Sequence, residues 1–405
     1  MLFENSSREA PPVSAVSPAR RACPICGTRA HKSFFEQKAV PIHQNVVMPS
    51  AEEARNCPRG DLALAWCEHC GMIFNAAFRD SVQRFSPDYN NAQTHSARYR
   101  RFLEELADEL VERHVLENRM ILEVGCGQGA FLRQLCRSGK NRGLGYDPTY
   151  SGPETAGGGA VRFVRGGFDE HQAAIPVDLA VCRQVLDVIP DPKRLVAALR
   201  AALAASTAIN VFVEVADATW ILKSCALWDL GYERCSYFTS RSLRYMMEQE
   251  GFKVTHVGTS FGAQYLWLEA HPDDGLGREK PSQASGTLEK LVAGFPSNAQ
   301  SRLDNALRVL REDSRMVKCC VWGAAGKGVT FLNSVDPHCR FVGFAVDLNP
   351  AKQGKYVAGT GHPIVGPEHL AKAPVGSVIL LNPNYQEEVS QHLREMGVAA
   401  PLRCL

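Results

Sequence analysis

Met120-Ile-Leu-Glu-Val-Gly-Cys-Gly-Gln-Gly-Ala-Phe-Leu-Arg-Gln-Leu-Cys136 is the stretch on which the fold turns. Met120–Val124 is a short apolar run with one acid, as a parallel strand buried on both faces reads. Gly125, Gly127 and Gly129 follow at once. From Ala130 the apolar residues take helical spacing, and Gly139 stops the helix. Strand, glycine turn and helix open a nucleotide-binding βαβ unit. The glycines let backbone approach a ligand where a Cβ would collide. The helix amino terminus offers it unpaired amides. A second strand, Arg142–Tyr146, ends in Asp147. That acid falls about 20 residues beyond the glycines, where a carboxylate takes the two ribose hydroxyls.

Further strands fit the same sheet. Ala160–Val164 precedes Gly167-Phe168-Asp169, Val177–Cys182 is a fourth strand, and Ala208–Val215 a fifth. Phe261–Ala270 reads as the last strand of this unit. Glu123-Val-Gly125-Cys-Gly127-Gln-Gly129 resembles the first motif of class I methyltransferases, and its Gly-x-Gly-x-Gly differs from the dinucleotide Gly-x-Gly-x-x-Gly. That likeness implies S-adenosylmethionine (SAM) as cofactor. It also implies an adenine contact at Phe168 and a loop from Gln184 to Pro192 that touches both cofactor and substrate.

Upstream, Cys23-Pro-Ile-Cys26-Gly and Cys67-Glu-His-Cys70-Gly form two Cys-x-x-Cys pairs. Two intervening residues let both sulfurs of a pair turn onto one ion, and four thiolates complete a closed tetrahedral zinc site of structural type. About forty residues separate the pairs, so an elaborated insert is expected between them. Cys57 and His69 are read as bystanders.

Downstream, the polar stretch Pro272–Gly286 reads as a linker and Thr287–Asp313 as a helix. Val317–Trp322 is a strand running into Gly323-Ala-Ala-Gly326-Lys327-Gly328; Phe341–Val346 ends in Asp347, and Ser377–Leu381 is another buried strand. This is a second nucleotide-fold-like unit with its own glycine turn and acid. Lys327 would suit a phosphate as a point charge.

The chain has 405 residues, 45 basic against 43 acidic, and 45% hydrophobic. Two or three domains with a real core are expected. Balanced charge argues against a nucleic-acid partner. No apolar run approaches the ~20 residues of a membrane span, and the start of the chain carries no signal-peptide pattern. Its Pro, Ser and Ala content reads as a disordered lead-in over 1–20. The 14 cysteines are read as metal-bound or buried in a reducing cytoplasm.

Two Cys-x-x-Cys pairs, then Glu123–Gly129, then Gly323–Gly328 with Asp347-Leu-Asn-Pro-Ala-Lys-Gln-Gly354, resemble the three-domain sugar C-methyltransferase family. The likeness implies an α/β fold: a zinc-binding module (21–80), a class I Rossmann-like SAM domain (81–272) and a smaller Rossmann-like domain (287–405). It implies methylation of a carbon in a deoxysugar carried on a nucleotide, by proton abstraction beside a ketone. Tyr89–Ser96 and Tyr232–Phe238 look like its substrate-pocket segments. Two histidines of the family pattern stand here as Val188 and Arg234, and neither can accept a proton. Tyr232 and Glu233 are therefore the first candidates for proton transfer, with Tyr89 and His95 behind them. Arg234, Tyr237 and Lys327 are candidate substrate contacts; Asp187 is read as orienting a neighbour, not as catalytic. With the histidines absent, oxygen or nitrogen methylation stays open, as does a SAM-binding protein that transfers no methyl.

Overall fold

A computed structural model describes residues 21–82, 85, 86, 88–169, 176–203, 210–273 and 286–405. The lead-in over 1–20, most of the expected linker and the first residues of the expected fifth strand lie outside them. The described residues form three sheets.

The largest has eight strands. Met120–Val124 lies at its centre, parallel to Arg142–Tyr146 on one side and Leu179–Arg183 on the other. Val161–Val164 extends the first side and Asn210–Ala216 the second, again parallel. The parallel strands therefore run 3-2-1-4-5, and the direction of winding reverses between Met120–Val124 and Leu179–Arg183. A reversal of that kind opens a crevice at the carboxyl ends of the strands. Helix Ala97–Arg113, capped by the Ser96 side chain, turns Tyr99, Phe102, Leu103, Leu106 and Leu110 inward, as their three- and four-residue spacing demands. The sheet then closes with an antiparallel pair, Phe252–Ser260 and Tyr265–Pro272. The single strand expected over Phe261–Ala270 is thus corrected. Phe261 and Ala263 are left-handed, with φ of 47° and 62°, and form the turn between two strands. The fold is that of a class I methyltransferase: an α/β core whose parallel sheet ends in a hairpin.

The segment between the cysteine pairs is itself a hairpin. His31–Pro41 runs antiparallel to Arg59–Cys67, which pairs with Ile73–Asn75. A fourth strand comes from far along the chain, because Ser236–Tyr237 pairs with Ile73–Phe74. The first module is therefore completed by residues of the second.

The carboxyl-terminal unit has five parallel strands, ordered Ile364–Val365, Val342–Val346, Cys319–Trp322, Val378–Leu380, Leu402–Cys404. Helix Gly286–Asp313 precedes them, and the Phe295 ring meets the edges of Phe34 and Phe35 at centroid distances of 6.0 and 5.4 Å. One apolar cluster runs through all three units, from Trp66 through Trp228 to Phe295 and Phe331. The three sheets consequently share a core. No helix among the described residues is long and apolar enough to cross a membrane, and no cysteine among them is in a disulfide.

Candidate active site and metal centre

The glycine turn sits where its sequence requires. Gly125 has φ of +77°, and a Cβ there would fall 2.0 Å from Val185 Cγ2; at Gly129, also +77°, it would fall 2.4 Å from the Phe163 ring. A side chain is excluded at both positions, so backbone alone lines this part of the crevice. Gly127 N donates to Asp147 Oδ2 at 2.7 Å, while Asp147 Oδ1 accepts from Thr149 N and Thr149 Oγ1 at 2.7 and 2.6 Å. The carboxylate is thereby fixed at the strand end. Glu123 is buried, and its Oε2 has no hydrogen-bond partner among the described residues. Burial pushes its carboxyl up to about 7, against the pull of the Arg183 charge and a backbone hydrogen bond; the Asp147 charge adds to the rise. Gln184, left-handed at φ 56°, is held by its main-chain N to Glu214 O at 2.7 Å. Glu214 is in turn anchored by Arg183 at 2.7 Å and Ser260 at 3.0 Å. Phe168 meets the Tyr146 ring edge-on, with centroids 5.3 Å apart. Glu123, Gly125, Gly127, Asp147, Phe168 and Gln184 line a cavity of about 890 Å³, while Gly129 and Glu214 stand behind that wall.

A second cavity, about 290 Å³, adjoins the first. Tyr89, Gln93, His95, Gln184 and Val188 line both. The far wall is the glycine turn of the carboxyl-terminal unit, with Lys327 and Asp347. Lys327 is paired with Asp229 and lies 5.6 Å from the Trp220 ring centre; burial draws its ammonium below the usual lysine range, against the pull of Asp229.

Glu233 faces this cavity and is only 4% exposed, so it is no ordinary surface carboxylate. Its Oε1 accepts from Gln44 N at 2.6 Å and Asn45 N at 3.0 Å, and its Oε2 from Asn45 Nδ2 at 2.6 Å. Burial raises its carboxyl above the ordinary range although those three donors favour the charge. Asn45 Nδ2 also reaches Tyr89 Oη, at 3.4 Å. The Tyr89 phenol is pushed well above its usual value, first by burial and then by the charges of Glu233 and Asp187. Arg234 Nε donates to Asp187 Oδ2 at 2.9 Å.

Two expected site residues are elsewhere. Tyr232 stacks on Phe78, and its hydroxyl accepts from Arg79 N at 2.9 Å. Tyr237 turns its hydroxyl back onto Gly231, donating to the carbonyl at 3.1 Å. Both are fully enclosed by protein and neither lines either cavity; their expected roles in proton transfer and substrate contact are corrected to packing. His95 lines both cavities but is otherwise exposed. Gln44 and Asn45 went unread in the sequence, because nothing in a loop of the first module signals that it will close on Glu233, 188 residues from Asn45.

In the first module Cys23, Cys26, Cys67 and Cys70 converge, all four sulfurs within 4.8 Å of one another. Cys23 to Cys70 and Cys26 to Cys67 are both 3.5 Å. Four sulfurs at zinc-bond length on a tetrahedron stand ~3.8 Å apart, so the spacing suits such an ion. Mutual hydrogen bonding holds the Cys26 and Cys67 thiols below their ordinary range and drives Cys23 and Cys70 above it. A cation at the centre would let all four ionise.

Comparison with known proteins bears on the methyltransferase core and the carboxyl-terminal unit. Residues 94–257 match a family described as a methyltransferase domain, and residues 281–400 one described as a C-methyltransferase C-terminal domain. C-methyltransferase NovU of Streptomyces niveus is 27% identical over 314 residues, spanning 72% of this chain and 73% of NovU. Among solved structures, 1,6-didemethyltoxoflavin-N1-methyltransferase of Burkholderia thailandensis, with 1,6-didemethyltoxoflavin and S-adenosylhomocysteine (SAH) bound, is 17% identical at a TM-score of 0.34, covering 50% of this chain and 96% of that one. The pyocyanin biosynthetic protein PhzM is 17% identical at 0.33, and the match spans 41% of this chain and 54% of that one. At TM-scores of about a third, neither structural likeness says anything of activity. With its methyltransferase domain and C-methyltransferase C-terminal domain, this chain is a SAM-dependent methyltransferase.

Proposed function

We propose that the enzyme methylates a carbon of a small molecule, a deoxysugar carried on a nucleotide, in the biosynthesis of a natural product. One observation carries the reading: the crevice beside Gly125–Gly129 opens, under the shared segment Tyr89–His95, into a cavity whose far wall belongs to the carboxyl-terminal unit. That unit has a nucleotide-type glycine turn with Lys327 and the acid Asp347 beside it. A nucleotide on that wall would hold a sugar between it and the cofactor. Carbon as the acceptor atom is supported by the C-methyltransferase C-terminal domain and by the likeness to NovU.

In this reading Glu123, Gly125, Gly127, Gly129, Asp147, Phe168 and Gln184 hold SAM, which supplies an electrophilic methyl and leaves as a neutral thioether. The chain holds the two partners in line and excludes water. Arg234 keeps the wall polar by its pair with Asp187, and Glu233 fixes Asn45 and through it Tyr89. Zinc on Cys23, Cys26, Cys67 and Cys70 is structural, with no position left for a substrate. A cytoplasmic location fits thiols kept reduced.

Four outcomes are expected. Incubation with methyl-labelled SAM and nucleotide-linked keto-deoxysugars yields a product with the label on carbon by NMR; label on oxygen or nitrogen refutes carbon methylation, and SAM bound without turnover favours a non-transferring protein. Metal analysis finds about one zinc per chain, lost when Cys23 and Cys67 are both changed to serine; folded protein without metal ends that assignment. Asp147→Ala weakens SAM binding tenfold or more in calorimetry, about 1.4 kcal/mol, whereas unchanged affinity moves the ribose contact elsewhere.

The fourth concerns pH. Because Glu123 titrates near 7 in the fold, above its unfolded range, it favours the protonated form; the stability this contributes is complete at low pH and lost as pH rises to about 7. A cationic ligand favours the ionised form, so SAM affinity rises with pH through about 7. Glu123→Gln flattens that profile, and an equal slope in the variant excludes Glu123 as its source.

A further inference from the structure

Lys327, Arg234 and Lys352 bring lysine or arginine side chains to the wall of the second cavity. Two of the three are committed. Lys327 is paired with Asp229, and Arg234 donates to Asp187 Oδ2 at 2.9 Å and to the Asp229 carbonyl at 2.8 Å. Lys352 is not. It is only 4% exposed, yet its ammonium makes no hydrogen bond among the described residues. Its nearest carboxylate oxygen there is Asp347 Oδ2, at 3.9 Å, and Asp347 already accepts from Ala324 N and Asn349 N at 3.0 and 2.9 Å. Burial draws the ammonium below the usual lysine range, while the charges of Asp347 and Glu233 pull it back. Asp187 Oδ1, Asn45 Oδ1 and Trp228 Nε1 also lack partners among the described residues, but they are sealed from the cavity, whereas the Lys352 ammonium opens onto it. A buried ammonium with all three donors idle is costly, and a ligand oxygen that takes them removes the cost.

The loop that carries Lys352 spans both chambers. Asn349, Pro350 and Ala351 line the cofactor cavity; Asp347, Leu348 and Lys352 line the second. Its shape is fixed from within, by Ala351 N on Asn349 Oδ1, Lys352 N on Asn349 O and Gln353 Nε2 on Asp347 O, each at 3.0 Å. It is also fixed from outside, by Asn349 Nδ2 on Asn90 Oδ1 at 3.1 Å, within the segment that roofs both chambers. The Glu233 charge acts on both Lys352 and Tyr89, so the ammonium stands on the Tyr89 side of the cavity. It therefore lies near the seam that a methyl group crosses.

We propose that Lys352 is a catalytic residue of the methyl transfer, its ammonium donating to the acceptor oxygen that adjoins the methylated carbon and holding the negative charge on that oxygen. The proposal rests on the reading of the substrate as a keto-deoxysugar. The acceptor enters this step as an enolate. Its carbon–carbon π pair forms the bond to the methyl carbon, a lone pair on oxygen restores the C=O bond, and the S–CH₃ pair stays on sulfur, giving SAH. No proton moves, and Lys352 keeps all three of its own. A fixed cation stabilises an oxyanion most where water is excluded. The same charge opposes an amine acceptor, whose nitrogen turns positive as it takes the methyl. The carboxyl-terminal unit thus supplies a group to the chemistry as well as a wall to the cavity.

Lys352→Met removes the charge at nearly constant volume. The variant is expected to melt no lower than the wild type, because the ammonium it loses is unpaired. Its affinities for SAH and for the sugar-free nucleoside diphosphate, measured by calorimetry, stay within twofold of wild type. Its kcat for methyl transfer to the nucleotide-linked keto-deoxysugar falls about 100-fold. In Lys352→Ala, added ethylammonium restores turnover saturably, which a structural role would not allow. Should Lys352→Met not fold, Lys352→Gln is measured in the same way, and failure of both to fold marks the residue as structural and overturns the proposal. A loss in kcat of less than tenfold in a folded variant also overturns it. So does a tenfold loss of nucleoside diphosphate affinity with kcat preserved, which would make Lys352 a phosphate ligand. A wild type inert toward the sugar overturns the substrate reading and this proposal with it, a result distinct from a variant that stays active.

Discussion

The buried carboxylate of Glu233 is the constraint on which the site depends. A carboxylate taken out of water costs several kcal/mol unless its oxygens are satisfied. Here satisfaction comes from another module, through the main-chain N–H groups of Gln44 and Asn45 and the Asn45 side chain. Gln44 then reaches onward, its Nε2 donating to Thr330 Oγ1 at 2.5 Å and placing the carboxyl-terminal unit against the same turn. One acid thus ties the cysteine module, the methyltransferase core and the last domain together at the rim of the cavity. Tyr89 is drawn in through Asn45, and Asn90 N closes the arrangement on Asn45 O at 2.9 Å.

The segment over this junction is held from all sides. Asn349 reaches Asn90 at 3.1 Å, Tyr385 reaches Gln93 at 2.9 Å, and Glu388 caps the helix that follows at Ser96 and Ala97. Asn349, Tyr385 and Glu388 belong to the carboxyl-terminal unit, and each lines one of the two cavities. The last domain therefore forms part of the wall and also sets the position of the segment that roofs both chambers. Its reciprocal amide pair with the core, Gln264 and Asn382 at 2.7 and 3.2 Å, is buried and leaves those polar groups paired across the interface.

What could be read from the chain depended on range. The central strand, the glycine turn and the acid at Asp147 are neighbours in sequence, and their spacing carries their geometry. The two cysteine pairs are local as well, though their convergence needed the intervening hairpin. The strand Phe252–Ser260 escaped notice because four of its nine residues are exposed and its alternation is broken by a bulge near Val254. Tyr232 and Tyr237 were placed in the pocket by likeness of sequence, yet a side chain's direction follows from packing, and Phe78 and Gly231 claim them.

By itself the sequence determined the order of the three units, the SAM-type turn and the four thiols, because each depends on residues a few positions apart or on a repeated short spacing. Tertiary structure alone decided which acids stay free. Glu233 is saturated by Gln44 and Asn45, while Asp187 keeps one oxygen unpaired among the described residues, and both outcomes arise from contacts across dozens to hundreds of residues. Hydrogen-bond saturation of a buried group is a property of everything packed around it, and no local pattern of residues encodes it.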